Sequence, residues 1–563
     1  VYKRQPQIQG AGALTIQSNS NNFAAAFSTS GWSFGTGLTG LTIGKSTETQ
    51  NITVANAVNV AGPILINGGN IFVNANLTST QQTSGTVSLV AAQNIFLTTS
   101  YITTNASAIL VAANNNSAGG EIILDSAVLN STGGNITLGG GANGQSYAVG
   151  TTSVIYNGSW TANTTGRGVQ IMDSSLNAAG GNILINGQGG NLTNLVGYYY
   201  AIGVDIDGFA NSPANISSTL QTSGSGTITI NGVGGTNANA STHGTGINIY
   251  TGIAGATGNL IKTSGGAIVL NGTAGSGTSL KYAGINFDGG NTTISSTSGN
   301  ITLTATDAVV NSTVANSNFV FNSANNTKIY SSSGNVTLTA VAGSSATSFN
   351  QTLNGVLDIG WDGGSNITSG NLVVNANTLG WTYGSNVSFN ATGTLTVVPV
   401  SSSFSSPVTW NATTGTGLTG FTLGNSSNTA NITLSTAVNV AGPISMTGGN
   451  ISLGAGLTTT NATTGNVTLT GNVSGSSGIA LAAGQTLTIT QTGSSTYSGA
   501  VSGNGASLVS NGSGTLILTG TNTYNGTTTV ASGNTTTVSQ AITGSGSLTQ
   551  MGTNSTVILT GAN

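Results

Sequence analysis

One short pattern governs what this chain can fold into: a glycine followed by residues whose apolar members alternate. It reads Gly134-Asn135-Ile136-Thr137-Leu138, Gly181-Asn182-Ile183-Leu184-Ile185, Gly226-Thr227-Ile228-Thr229-Ile230, Gly266-Ala267-Ile268-Val269-Leu270 and Gly299-Asn300-Ile301-Thr302-Leu303. Further copies begin at Gly334, Gly449 and Gly465, so the pattern runs through most of the sequence. Residues i and i+2 of a strand share a face, so Ile183 with Ile185, and Ile228 with Ile230, are expected to point into one core. The Thr and Asn between them face outward. Helical periodicity is absent.

A second motif alternates with the first: Gly168-Val169-Gln170-Ile171, Gly203-Val204-Asp205-Ile206, Gly246-Ile247-Asn248-Ile249 and Gly284-Ile285-Asn286-Phe287, with starts 35, 43 and 38 residues apart. Periods of this size signal a solenoid, and a spacing near 40 reads as two coils of roughly 20 residues each. Gly and Asn supply corners where positive φ is needed. Repetition is obligatory on energetic grounds. Ordering a residue costs roughly 1–2 kcal/mol while a buried Ile or Leu returns about 1.5–3, so a single coil cannot stand without neighbours above and below. The expected fold is all-β, a right-handed parallel β-helix.

The longest repeat is an ungapped match at an offset of 380 residues. Gly35 to Gly40 recurs as Gly415 to Gly420, and Ala57 to Ile64 recurs as Ala437 to Ile444. Lys45 and Glu48 fall opposite Asn425 and Asn428, so charge there is not needed to build the module. The organisation is therefore a first module copy over 6–105, a repeat array over 106–390, a second copy over 391–490 and a further repeat region over 491–563. Residues 1–5, Val-Tyr-Lys-Arg-Gln, resemble a translated sequencing adapter and are left out of the fold.

Only 3% of the 563 residues are charged, against roughly 25% in ordinary globular chains. Eighty-seven glycines would suggest disorder, but a net charge of −3, a mean hydropathy of +0.16 and regularly spaced Ile, Val and Leu oppose it. There is no cysteine, hence neither a disulfide framework nor a thiolate metal site. No apolar run approaches the ~20 residues of a membrane span. Ten acidic residues against seven basic ones, two of them Lys3 and Arg4, leave no basic surface for nucleic acid.

The final stretch, Gly512-Ser513-Gly514-Thr515-Leu516-Ile517-Leu518-Thr519-Gly520-Thr521-Asn522-Thr523-Tyr524-Asn525-Gly526, resembles the autotransporter-associated, or passenger-associated transport, repeat. Ala500 to Gly505 and Ala541 to Gln550 match the part leading into its Leu-rich strand, and a second copy reaches Val557-Ile558-Leu559. Residues 160 to 305 are similar, more loosely, to the repeats of filamentous-haemagglutinin-like large exoproteins. The resemblance implies type V secretion: passage through an outer-membrane β-barrel translocator lying outside this stretch, folding outside the cell, and display or release of a β-helical adhesin. Its partners would be host or environmental surface glycans or proteins, with self-association as a further option, and no nucleic acid. The absence of cysteine fits the threading of an unfolded chain.

Candidate chemistry is sparse. His243, the one histidine, lies in a turn-like stretch without a nearby carboxylate in sequence, and no GxSxG elbow accompanies it. Asp205 and Asp207, at i and i+2, share a strand face, the arrangement a glycan-cleaving or cation site would need, with Arg167, Lys262 and Lys281 the nearby basic residues. The plainer reading is that both carboxylates face outward and solvate the strand. Asp362, in Gly360-Trp361-Asp362-Gly363-Gly364, reads as a turn residue. Gly40 to Ser46 imitates a phosphate loop with one residue too few between its glycines. Asn-x-Ser/Thr triplets such as Asn51-Ile52-Thr53 and Asn431-Ile432-Thr433 follow from composition and are formal glycosylation acceptors. Tyr198, Tyr199 and Tyr200 form the densest aromatic cluster and are candidate surface-binding residues, set against packing back on the solenoid.

The sequence thus assigns no catalytic residue, no metal and no cofactor. Its leading reading is a secreted adhesive stalk. The alternatives are a β-helical polysaccharide lyase or hydrolase using Asp205 and Asp207, and an ice-binding or S-layer-like surface protein, which aligned outward Thr-x-Thr rows would favour.

Overall fold

The computed structural model describes the chain except for residues 1–6, 115–118, 152–165, 192–199, 209–216, 237–243, 252–257, 277–282, 308–316, 324–325, 342–346, 352–355, 365–366, 382–385, 532, 539–546, 551–555 and 560–563. It is an all-β, right-handed parallel β-helix in two compact units, residues 1–327 with 341–346, and residues 328–340 with 347–563.

In the first unit the coils from Gly40–Ile43 onward are built on three sheets. The coil Ile64–Gly68, Ile71–Val73 and Leu77–Ser79 shows the plan, and the next coil begins at Val87–Ala91. The first sheet stacks Ile64, Val87, Ile109, Ile136, Ile183, Ile228, Ile268 and Ile301 in register. The second stacks Ile71, Ile95, Ile122, Val169, Val204, Ile247, Ile285 and Phe319. The third stacks Leu77, Ile102, Leu129, Leu176, Leu220, Ile261 and Ile294. All are buried. The core is therefore built of stacked apolar columns, aliphatic in these three except for Phe319, each member worth about 1.5–3 kcal/mol of burial.

These registers correct the two-coil reading of the longer repeat. Val169, Val204 and Ile247 are direct neighbours, so a spacing near 40 is one coil. The two glycine motifs lie on different sheets of the same coil. The added length falls between strands: Ile183–Gln188 is followed by Val204–Gly208, and Ile228–Val233 by Ile247–Thr251.

The glycines of the second motif also work differently from expectation. Gly168, Gly203, Gly246 and Gly284 are not in the left-handed region. They are small because backbone passes close by. A Cβ on Gly203 would stand 2.3 Å from the backbone nitrogen of Val233, and one on Gly246 2.4 Å from that of Thr273. Glycine is required where two strands of a coil meet at a tight corner.

In the second unit the first column runs Leu372, Leu395, Phe421, Ile444, Val467, Leu487, Leu508 and Thr528, and from Phe421 onward neighbours stand 20 to 23 residues apart. Here the coil has the length first expected. Inward Thr528 is kept in the core by a hydrogen bond with the buried Tyr524 hydroxyl, 2.8 Å.

The duplicated module folds the same way twice, with Leu41 on Ile64 in one copy and Phe421 on Ile444 in the other. Lys45 Nζ donates to the Ser20 carbonyl at 2.6 Å, and Asn425 Nδ2 to the Ser401 carbonyl at 3.3 Å. The buried Glu48 carboxylate accepts from the Phe23 and Gln50 amides, each at 2.9 Å, whereas Asn428 Oδ1 accepts from Phe404 at 3.1 Å and Ala430 at 3.3 Å. Amides thus replace charges in the same structural jobs. The phosphate-loop imitation dissolves in this geometry: Gly40–Ile43 is a strand, and Lys45 is engaged by backbone.

Candidate functional site

Charge is not spread along the chain; no residue after Asp362 carries any. In the first unit it gathers on the second sheet, where the strands Val169–Met172, Val204–Gly208, Ile247–Thr251 and Ala283–Gly289 lie side by side. Alternation turns Val204 and Ile206 inward and presents Asp205 and Asp207 on the opposite face. Register then builds two rows across the coils. One is Gln170, Asp205, Asn248, Asn286, and the other is Asp125, Met172, Asp207, Tyr250, Asp288.

The carboxylates are outward by strand geometry yet withdrawn from water, Asp205 being 1% and Asp207 5% exposed. They do not solvate the strand as the plainer sequence reading held. A buried carboxylate is costly unless its oxygens find charge or hydrogen bonds, and Asp205 finds both. Arg167 Nε donates to its Oδ2 at 2.5 Å, and Asn248 Nδ2 donates to its Oδ1 at 2.7 Å. Asn286 Nδ2 passes the ladder on to Asn248 Oδ1 at 2.7 Å. The Arg167 guanidinium also stands over the Tyr200 ring, 4.6 Å from its centroid, a cation–π contact that keeps the arginine in place. Tyr250, next to Asp207 and Asp288 in its row, has its phenol pushed above its ordinary value of 10.0, by burial foremost and then by Asp207, Asp288, Tyr200 and Asp205.

Arg167, Tyr200, Asp205, Asp207, Asn248, Tyr250, Asn286 and Asp288 thus belong to one polar face. Of the other residues singled out in the sequence, Tyr198, Tyr199, Lys281 and His243 lie outside the described residues. Lys262 is exposed on the third sheet, away from the carboxylate rows. Among the described residues no group of three or more His, Cys, Asp or Glu is arranged to hold a metal ion. With both oxygens engaged, Asp205 is an orienting group rather than an available base.

Asn248, Asn286 and Tyr250 escaped the sequence reading. Their signal was present, because stacking the four Gly-Val/Ile motif copies puts Gln170, Asp205, Asn248 and Asn286 in one column. A second polar group, in the second unit, was also missed. Buried Asp358 accepts from Ser388 Oγ at 2.6 Å and Trp361 Nε1 at 3.1 Å. Beside it Asp362 accepts from the Gly364 amide at 2.8 Å and Gly363 has φ +78, which makes this stretch the turn its sequence suggested. At the formal glycosylation triplets, Asn51 and Asn431 use their side-chain oxygens to accept from Asn70 and Asn450, each at 3.0 Å.

What the geometry defines is a class, a parallel β-helix with one polarised face. Beyond that class, no family model, no curated protein and no solved structure matches the chain.

Proposed function

We propose that this chain is passenger material of a type V secreted bacterial surface protein, an adhesive stalk that catalyses no reaction and acts outside the cell. The observation that carries the reading is coil-to-coil pairing: within each unit the described coils bond in parallel to their neighbours, as in Ile183 on Ile228 in the first and Leu487 on Leu508 in the second. A fold whose contacts are all to neighbouring coils can form progressively as chain emerges from a translocator, without cysteines to hinder threading. The stretch resembling autotransporter-associated repeats takes part in that stacking, with Leu516, Leu518 and Tyr524 buried as its core residues. On this reading the face around Arg167, Tyr200 and Tyr250 is the one best suited to contact surface glycans or proteins, and the many coils add weak contacts into avidity. The engagement of both Asp205 oxygens supports a binding face over a polysaccharide-cleaving one.

The test is attachment of cells carrying or lacking the complete gene, on a panel of glycan- and protein-coated surfaces. The expected result is reduced attachment on at least one surface without the gene. Equal attachment on every surface rejects the adhesive function.

A further inference from the structure

We propose that the second unit carries an ice-binding surface, centred on Ser445, Thr447, Thr468, Thr470, Thr488 and Thr490. These six residues are two per strand on three successive coils. Ser445 pairs with Thr468 and Thr468 with Thr488; Thr447 pairs with Thr470 and Thr470 with Thr490. The inward residues between them, Met446, Leu469 and Ile489, are fully buried, which fixes the outward direction of the six. The result is a two-dimensional array, with hydroxyls repeating about every 4.8 Å from coil to coil and about 6.7 Å along each strand. Both repeats are close to those of oxygens on a face of hexagonal ice. Threonine suits the task because its branched Cβ restricts χ1, so hydroxyl and methyl are presented in fixed positions.

Three observations separate this array from a strand surface that is rich in threonine only for its β-propensity. All six side chains are half-exposed, yet no hydrogen bond within the protein engages any of their hydroxyls among the described residues. The outward Asn residues elsewhere bond to one another instead, as Asn231 does to Asn186 at 2.8 Å. Second, no charged residue follows Asp362, whereas a soluble surface ordinarily carries about 25–35% charged side chains. Strongly hydrated ions would disrupt water held at lattice positions, and residues 363–563 contain no charged side chain. Third, the corresponding outward row of the first unit is broken by Leu65, Leu110 and Leu184, and the second unit's own row passes to Val509 after Thr488, so the unbroken hydroxyls belong to these three coils and do not follow from the coil itself. A sugar ligand would want an aromatic platform, but Tyr497 and Tyr524 point into the core. The array therefore fits ordered water.

This inference stands apart from the adhesive reading, since it concerns a different unit and uses purified protein. The experiment is partition of the full chain into slowly grown ice, beside a globular protein of similar size. The wild type is expected to be concentrated in the ice. A Thr468→Lys/Thr488→Lys variant should lose that enrichment, while Thr229→Lys, on an outward position of the first unit, should keep it. Circular dichroism checks folding, and Thr468→Asn/Thr488→Asn serves if the lysine pair does not fold. Exclusion of the wild-type chain from ice overturns the proposal, and so does enrichment of a folded array variant equal to that of the wild type.

Discussion

Replacing Arg167 by methionine would strip the counter-charge from a carboxylate with almost no access to water. The two side chains are 12% and 2% exposed, so solvent screens the pair little. Breaking a buried pair by removing one partner costs about 3–5 kcal/mol, and the lower end applies because Asn248 still holds the other Asp205 oxygen. An Arg167→Met loss of about 3 kcal/mol follows. Asp205→Asn should cost less, about 1–2 kcal/mol, because the arginine left behind is partly exposed and keeps its tyrosine. In the double variant the new asparagine joins a row that already runs through Gln170, Asn248 and Asn286. It should lie within about 1 kcal/mol of wild type, a coupling of roughly 3 kcal/mol. Urea denaturation read by hydrogen exchange at the amides of 167–172 and 204–208 resolves the loss locally, as a solenoid opens in segments. Simple addition of the two single effects in the double variant would refute the idea that Asp205 is held chiefly by this pair.

The duplicated module supplies its own control. Glu48→Ala should expose the Phe23 and Gln50 amides to faster exchange at about 2–3 kcal/mol, while Glu48→Asn, copying Asn428, should cost less than about 1. Equal exchange in the two variants would show that the amide does not take over the carboxylate's bonds. Alkaline pH should also weaken the fold. Burial raises the Tyr497 and Tyr524 phenols above their ordinary 10.0, so above that pH the unfolded chain releases protons that the folded chain retains, and stability falls. Urea midpoints should be flat below pH 10.0 and decline above it, with a smaller decline in Tyr497→Phe/Tyr524→Phe; midpoints that stay level above pH 10.0 would count against this.

The inward columns were legible because strand alternation is a local property: Ile183 with Ile185 and Ile228 with Ile230 need only their own neighbours to declare a face. Coil length was not, because nothing local says whether Gly168 and Gly181 begin successive coils or successive sides of one coil. Only the register of Val169 on Val204 decides it. The i, i+2 spacing placed Asp205 and Asp207 on a common face for the same local reason. Their burial and the pairing with Arg167 depend on residues one coil away, and that contact is set by stacking rather than by sequence distance.

The corners of the coil have unequal freedom. Between Ile64–Gly68 and Ile71–Val73 the chain turns in two residues, yet between Ile183–Gln188 and Val204–Gly208 it spends residues 189–203 before resuming the same alignment. Strand pairing is thus insulated from what is spliced into that corner. Coils that differ in length at that corner therefore keep one alignment, as Ile136 on Ile183 on Ile228 shows.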